Sequence, residues 1–115
     1  MAVDIRQRDD VIILKPKGKV IGRSVRDLSN AINEESAKVS DVPKFLFDFA
    51  DVSMMDSSGL GTLLGAHVGI VQKGGRVAVI NVSEKNVKSL IIRSRLISTF
   101  EHFESEDEAV AALAG

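Results

Sequence analysis

The chain has 115 residues, 44% of them hydrophobic, with 15 Lys plus Arg against 16 Asp plus Glu, a formal charge of −1 and no cysteine. These values suit one domain able to bury its own core, and they exclude a disulfide framework, a thiolate metal site or nucleophile, and the charge profile of a general nucleic-acid binder. Phe is the sole aromatic type, with five copies, so stacking platforms for bases are not expected. The opening stretch MAVDIRQRDD lacks the apolar centre of a signal peptide, and no run approaches the roughly 18 apolar residues of a membrane span. The expectation is a soluble cytoplasmic protein without membrane insertion.

In chain order, Val3, Asp4, Ile5 and Arg6 alternate apolar and polar side chains, the pattern of a half-buried strand reaching Arg8. Arg8-Asp9-Asp10 reads as a turn. A second strand begins at Val11-Ile12-Ile13-Leu14 and continues through Lys15-Pro16-Lys17-Gly18-Lys19 to Val20-Ile21, which predicts an antiparallel hairpin. Pro16 lacks an N–H and points to an edge or irregular position. Lys15, Lys17 and Lys19 share a face and read as charges guarding a strand edge, or else as a patch for an acidic partner. Ser24 is placed to cap a first helix with Val25, Leu28 and Ile32 on one side, and Ser40-Asp41-Val42-Pro43 ends that helix.

Phe45-Leu46-Phe47-Asp48-Phe49 is a nearly continuous apolar run of strand type, followed by polar turn residues and then a helical pattern. Leu60, Leu63, Leu64, Val68 and Val71 recur at intervals of three and four and predict one apolar stripe, with Gly74-Gly75 as the stop. Gly61, Gly65 and Gly69 each cost such a helix about 1 kcal/mol relative to alanine. Close packing is the expected compensation at Gly65 and Gly69, while Gly61, one turn from Ser57, suits either packing or a partner surface. Residues 76–81 form a strand apolar on both faces, hence covered on both. Ser83-Glu84-Lys85-Asn86 is read as the start of a further helix, with Val87, Leu90 and Ile91 inward and an end near Arg95. Ile97-Ser98-Thr99-Phe100 is read as a short last strand, and Ser105 caps a final helix carrying Ala109, Val110, Ala112 and Leu113.

Asp56, Ser57 and Ser58 fall at the cap or first turn of the central helix. Such residues serve there as N-caps, because their oxygens accept from free backbone N–H groups. A hydroxyl at that place is also a candidate modification site, since a helix N-terminus tolerates the roughly −1.5 to −2 charges of a phosphate. Catalysis finds no constellation. The only histidines are His67 and His102, Gly-x-Ser-x-Gly and phosphate-loop motifs are lacking, and Asp48 and Asp51 are explained as turn residues. No metal or cofactor is expected.

The segment Met55-Asp56-Ser57-Ser58-Gly59-Leu60-Gly61, after an apolar strand and before a helix ending at Gly74-Gly75, closely resembles the phosphorylation segment of bacterial anti-sigma factor antagonists. Those proteins are built on the STAS domain, named for sulfate transporters and anti-sigma antagonists. A Gly18-Lys19 turn after the second strand, Gly74-Gly75-Arg76-Val77 before the next, and the acidic C-terminal helix carry the likeness over essentially the whole chain. The resemblance implies one STAS-like α/β domain over residues 1–115, with a mixed sheet of roughly four to five strands and about four helices. It implies that Ser57 accepts phosphate from a partner kinase, with Ser58 next in line. It also implies a docking face of Asp56, Ser57, Ser58, Gly59, Leu60 and Gly61. The implied partners are an anti-sigma factor that is also a serine protein kinase and a serine phosphatase, with the chain a monomer or weak dimer. The alternative is a STAS scaffold subunit of a larger signalling or transporter complex. One departure supports keeping that alternative: the family commonly has an acidic Gly-Glu-x-Asp pattern at its kinase-contacting surface, where this chain has Gly18-Lys19-Val20-Ile21-Gly22-Arg23, basic and apolar.

Overall fold

In the computed structural model, which describes residues 1–39 and 41–115, a single mixed sheet takes shape from the alternation of its strands. Ser40, one of the expected helix-ending residues, lies outside the described residues. The strands are β1 (Ala2–Arg8), β2 (Val11–Val20), β3 (Lys44–Asp48), β4 (Val52–Met55), β5 (Arg76–Ile80) and β6 (Glu101–His102). The helices are α1 (Val25–Lys38), α2 (Ser57–Gln72), α3 (Leu90–Thr99) and α4 (Glu106–Leu113). Strand order is β1-β2-β3-β5-β6, with β4 also paired to β2. The first pair is antiparallel and the others are parallel, the consequence of a hairpin followed by helical crossovers.

Period-two alternation separates two cores. Ile12, Leu14, Phe45, Phe47, Val77 and Val79 meet Leu28, Ile32, Leu63, Ile70 and Leu96 from α1, α2 and α3. Val11, Ile13, Leu46, Ala78 and Ile80, the intervening residues of the same strands, meet Ala109, Val110 and Leu113 of α4. Residues 76–80 are thus covered on both sides, as their unbroken apolar character predicts.

The lysine-bearing strand β2 is not an edge. It pairs with β1 on one side, and on the other with β3 through Ile12–Leu14 and with β4 through Gly18–Val20. Pro16 is buried in the gap between those two parallel pairings, an irregular position where a missing N–H is tolerated. Lys15 pairs with Asp51 of the β3–β4 turn at 3.6 Å and Lys17 with Asp4 of β1 at 3.0 Å, so they are neutralised within the chain rather than set to repel a foreign strand. Gly18-Lys19 is a bulge within β2 rather than a turn after it, with Gly18 at φ 86° and the register shifting there.

Two helical readings are corrected. In α2 the inward line is Gly59, Leu63 and Ile70, whereas Val68 and Val71 of the expected stripe are exposed. The helix is apolar around most of its circumference, so spacing alone could not choose its buried face. Further on, residues 83–86 do not start a helix. Ser83 directs both its N–H and its hydroxyl to Asn86 Oδ1, at 2.9 and 2.7 Å, and this side-chain turn competes with a helical start. α3 begins only after Ser89, whose Oγ accepts from the Ile92 N–H at 3.3 Å. Leu90 and Ile91 are 67% and 77% exposed rather than inward, and Ile97 to Thr99 are helical rather than extended. The last strand is the two-residue β6, paired to Ala78 and Val79.

The glycines of α2 overturn another expectation. A Cβ added at Gly61, Gly65 or Gly69 would meet nothing within 4 Å. All three border a groove of about 400 Å3 between α1 and α2, so close packing does not offset their cost. Replacing all three with alanine is therefore expected to stabilise the fold by roughly 0.5–1 kcal/mol per site. In a thermal melt this reads as a Tm raised by several degrees.

On the opposite face, Ser105 caps α4 by accepting from the Glu108 N–H at 3.1 Å. Arg6 and Arg8 of β1 hold Glu106, Arg8 at 2.7 Å, and Arg8 also reaches Asp107 at 2.8 Å. Hydrogen bonding from Arg6, helped by Arg8, holds the Glu106 carboxyl below the usual glutamate range. A lowered folded-state pKa gives stability that is present above the unfolded value, about 4.3, and lost as the pH falls through the folded one. The Tm difference between wild type and Glu106→Gln is thus expected to be positive at pH 7 and to vanish in acid. A difference independent of pH would show that these contacts do not latch α4.

Candidate functional site

The strand-to-helix corner after β4 is fixed by one carboxylate. Asp56 has an extended backbone, φ −110° and ψ −174°, and caps α2. Its Oδ1 accepts from the Gly59 N–H at 3.1 Å, while Oδ2 accepts from the Gly22 N–H, also at 3.1 Å. The same side chain therefore ends one orphan donor of the helix and ties the β2–α1 connection to it. That connection is a short 3-10 turn, Gly22–Ser24. Ser24 precedes α1 but makes no side-chain cap; its Oγ donates to the Lys19 carbonyl at 2.9 Å and accepts from the Ile21 N–H at 3.2 Å.

The six residues singled out at this corner divide by exposure. Ser57 and Ser58 are exposed, and the Ser58 carbonyl accepts from Thr62 Oγ1 at 3.0 Å. Gly61 is exposed one turn on, and Leu60 is half-buried against the larger core. Asp56 is half-buried and engaged at both oxygens. Gly59 is buried: a Cβ there would lie 2.6 Å from the Val20 carbonyl oxygen and 3.0 Å from Met55 Cγ. Its role is close approach of helix to strand, and the solvent-facing surface is left to Ser57, Ser58 and Gly61.

The other residues weighed for chemistry are held by structural contacts. His67 packs edge-on against Phe100, ring centroids 5.1 Å apart. Asp48 is buried and accepts from the Ala50 N–H at 2.9 Å and from Asn81 Nδ2 at 2.8 Å. Asp51 faces Lys15. Among the described residues no group of three His, Cys, Asp or Glu side chains is arranged to hold a metal ion, and no helix is long and apolar enough to cross a membrane. The tie between Gly22 and Asp56 is the feature that sequence reasoning missed. Its partners are 34 residues apart, and one of them is a backbone N–H, which leaves no mark in the sequence.

A hairpin-led mixed sheet, three helices on one face and one on the other, with two exposed serines at the start of the central helix, defines a single α/β domain with its distinctive residues on the surface. The chain belongs to the STAS domain family, whose model matches residues 2–109. It is 26% identical over 113 residues to an anti-sigma F factor antagonist of Paenibacillus polymyxa, across 98% of this chain and 95% of that protein. In structure it is similar to an anti-sigma factor antagonist from Mycobacterium paratuberculosis, with a TM-score of 0.80 at 20% identity over 97% of this chain and 92% of that one. It is likewise similar to the unphosphorylated anti-sigma factor antagonist SpoIIAA, with a TM-score of 0.72 at 18% identity over 96% of both chains. At such identities the structural likeness speaks for the fold.

Proposed function

We propose that this protein is an anti-sigma factor antagonist that works by binding and not by catalysis. With Ser57 unmodified, the corner at Ser57, Ser58 and Gly61 docks onto an anti-sigma factor that is also a serine kinase. Phosphate on Ser57 releases that partner, and a serine phosphatase resets the chain. The observation that carries this reading is the exposure of Ser57 as the first residue of α2 while the adjoining Asp56 is anchored by two backbone N–H groups. A kinase can reach the hydroxyl, and the anchored cap keeps the fold intact while the surface changes charge by about −1.5 to −2.

Incubation with the kinase of its host and ATP should add one phosphate by intact mass, retained in Ser58→Ala and absent in Ser57→Ala. A Ser57→Ala chain that is still fully labelled overturns the assignment. A scaffold subunit of a larger assembly is the second reading, favoured by the exposure of Leu90 and Ile91 on α3. Size-exclusion chromatography separates the two, since a switch runs as a monomer or weak dimer and a scaffold as a large particle.

A further inference from the structure

The charged side chains around Ser57 are predominantly positive. Arg23 follows Gly22, whose N–H is bound to Asp56, so Arg23 stands directly beside the Ser57 corner. Arg26 lies one turn further on, at the start of α1, and Lys19 lies at the end of β2 that leads into the same loop. All three are exposed, and none takes part in an ion pair among the described residues. The neighbouring carboxylates are already engaged: Asp56 by two backbone N–H groups, Asp27 by the N-terminal ammonium of Met1, and Asp51 by Lys15. Three unpaired cations therefore stand against the single Asp56 carboxylate, and this corner carries a net positive charge.

We infer that the face beside Ser57 is a basic docking surface, with Arg23 and Arg26 as its charged contacts, and that the protein seated on it presents a carboxylate-rich face. The inference rests on the proposed docking at Ser57 and specifies the partner's chemistry. Complementary potential steers encounter and fixes orientation, while like charges brought together are strongly disfavoured. It also gives the phosphate a direction of action. Two negative charges placed on a basic surface cancel Arg23 and Arg26 and repel an acidic partner, whereas the same group on an acidic surface meeting a basic partner would add attraction. Release on phosphorylation therefore follows from the sign of this face.

The test is an NMR titration of the isotope-labelled full chain with hexaglutamate, at about 0.01 M and about 0.15 M salt, where the Debye length is about 30 and about 8 Å. The expected shifts fall on the amides of Gly22, Arg23, Ser57 and Ser58, weaken at the higher salt, and are lost in Arg23→Glu/Arg26→Glu. Both arginines are exposed and unpaired, so the double variant should keep the wild-type Tm; Arg23→Gln/Arg26→Gln, which is milder, should lose the same shifts. Shifts centred instead on Lys85, Lys88, Arg93 and Arg95, or spread over no defined face, overturn the proposal. The outcome is separable from the phosphoswitch itself. Shifts at this corner with no phosphate gained at Ser57 leave the acidic-partner surface standing and remove the switch. Labelling of Ser57 with shifts elsewhere does the reverse.

Discussion

A single methyl group at position 59 is expected to destabilise the domain by about 1–3 kcal/mol, the usual cost of forcing extra volume into a packed site. In Gly59→Ala the new Cβ would sit 2.6 Å from the Val20 carbonyl oxygen and 3.1 Å from Val20 Cγ1. The first of these is strand backbone paired to Met55 of β4, and it accepts from the Asp56 N–H at 3.4 Å, so it cannot rotate away. Relief requires the first turn of α2 to lift off β2, which moves Ser57 as well. Urea unfolding should show a lower midpoint at an unchanged slope, with slower phosphate incorporation at Ser57. An alanine tolerated here as readily as at the open Gly61 would mean that the helix start is not seated on Val20.

Asp56→Ala is expected to cost about 2 kcal/mol, because it deletes an N-cap and a second charge-assisted hydrogen bond together. The Gly59 N–H is then buried without its acceptor, and the loop bearing Arg23 loses its tie to α2. Asp56→Asn should fall between the two, since an amide offers one accepting oxygen to two N–H donors that a carboxylate satisfies together. Hydrogen exchange at the Gly22 amide separates the contributions. It should accelerate strongly in the alanine variant and measurably in the asparagine one, and labelling of Ser57 should weaken in both without loss of the fold. Protection of Gly22 unchanged in Asp56→Ala would show that the cross-loop bond contributes nothing.

Much of this site was readable before any coordinate. The apolar run at residues 45–49, the Asp-Ser-Ser sequence and the following helical pattern announce a strand, a cap and a helix start, because those signals are local and reinforce one another. Which of Asp56, Ser57 and Ser58 performs the cap was left open by chemistry alone, since each can accept from a first-turn N–H. Asp56 takes that position because it alone also meets the Gly22 N–H, a donor supplied by a distant turn.

The errors follow the same division. The β1–β2 hairpin, the two-sided burial of β5 and the Ser105 cap were determined by the sequence, since each is signalled by residues close together in the chain, although Ile5 of β1, expected inward, is exposed. Tertiary structure decided which strand lies at an edge, which side of an all-round apolar α2 is buried, and whether Gly61, Gly65 and Gly69 touch anything. It also decided that residues 83–86 form a turn while Leu90 and Ile91 face outward. Each of these turns on what another element brings to the same place. Local propensity and periodicity hold no information about that, and it is fixed only when the strands register and the helices settle on their two faces.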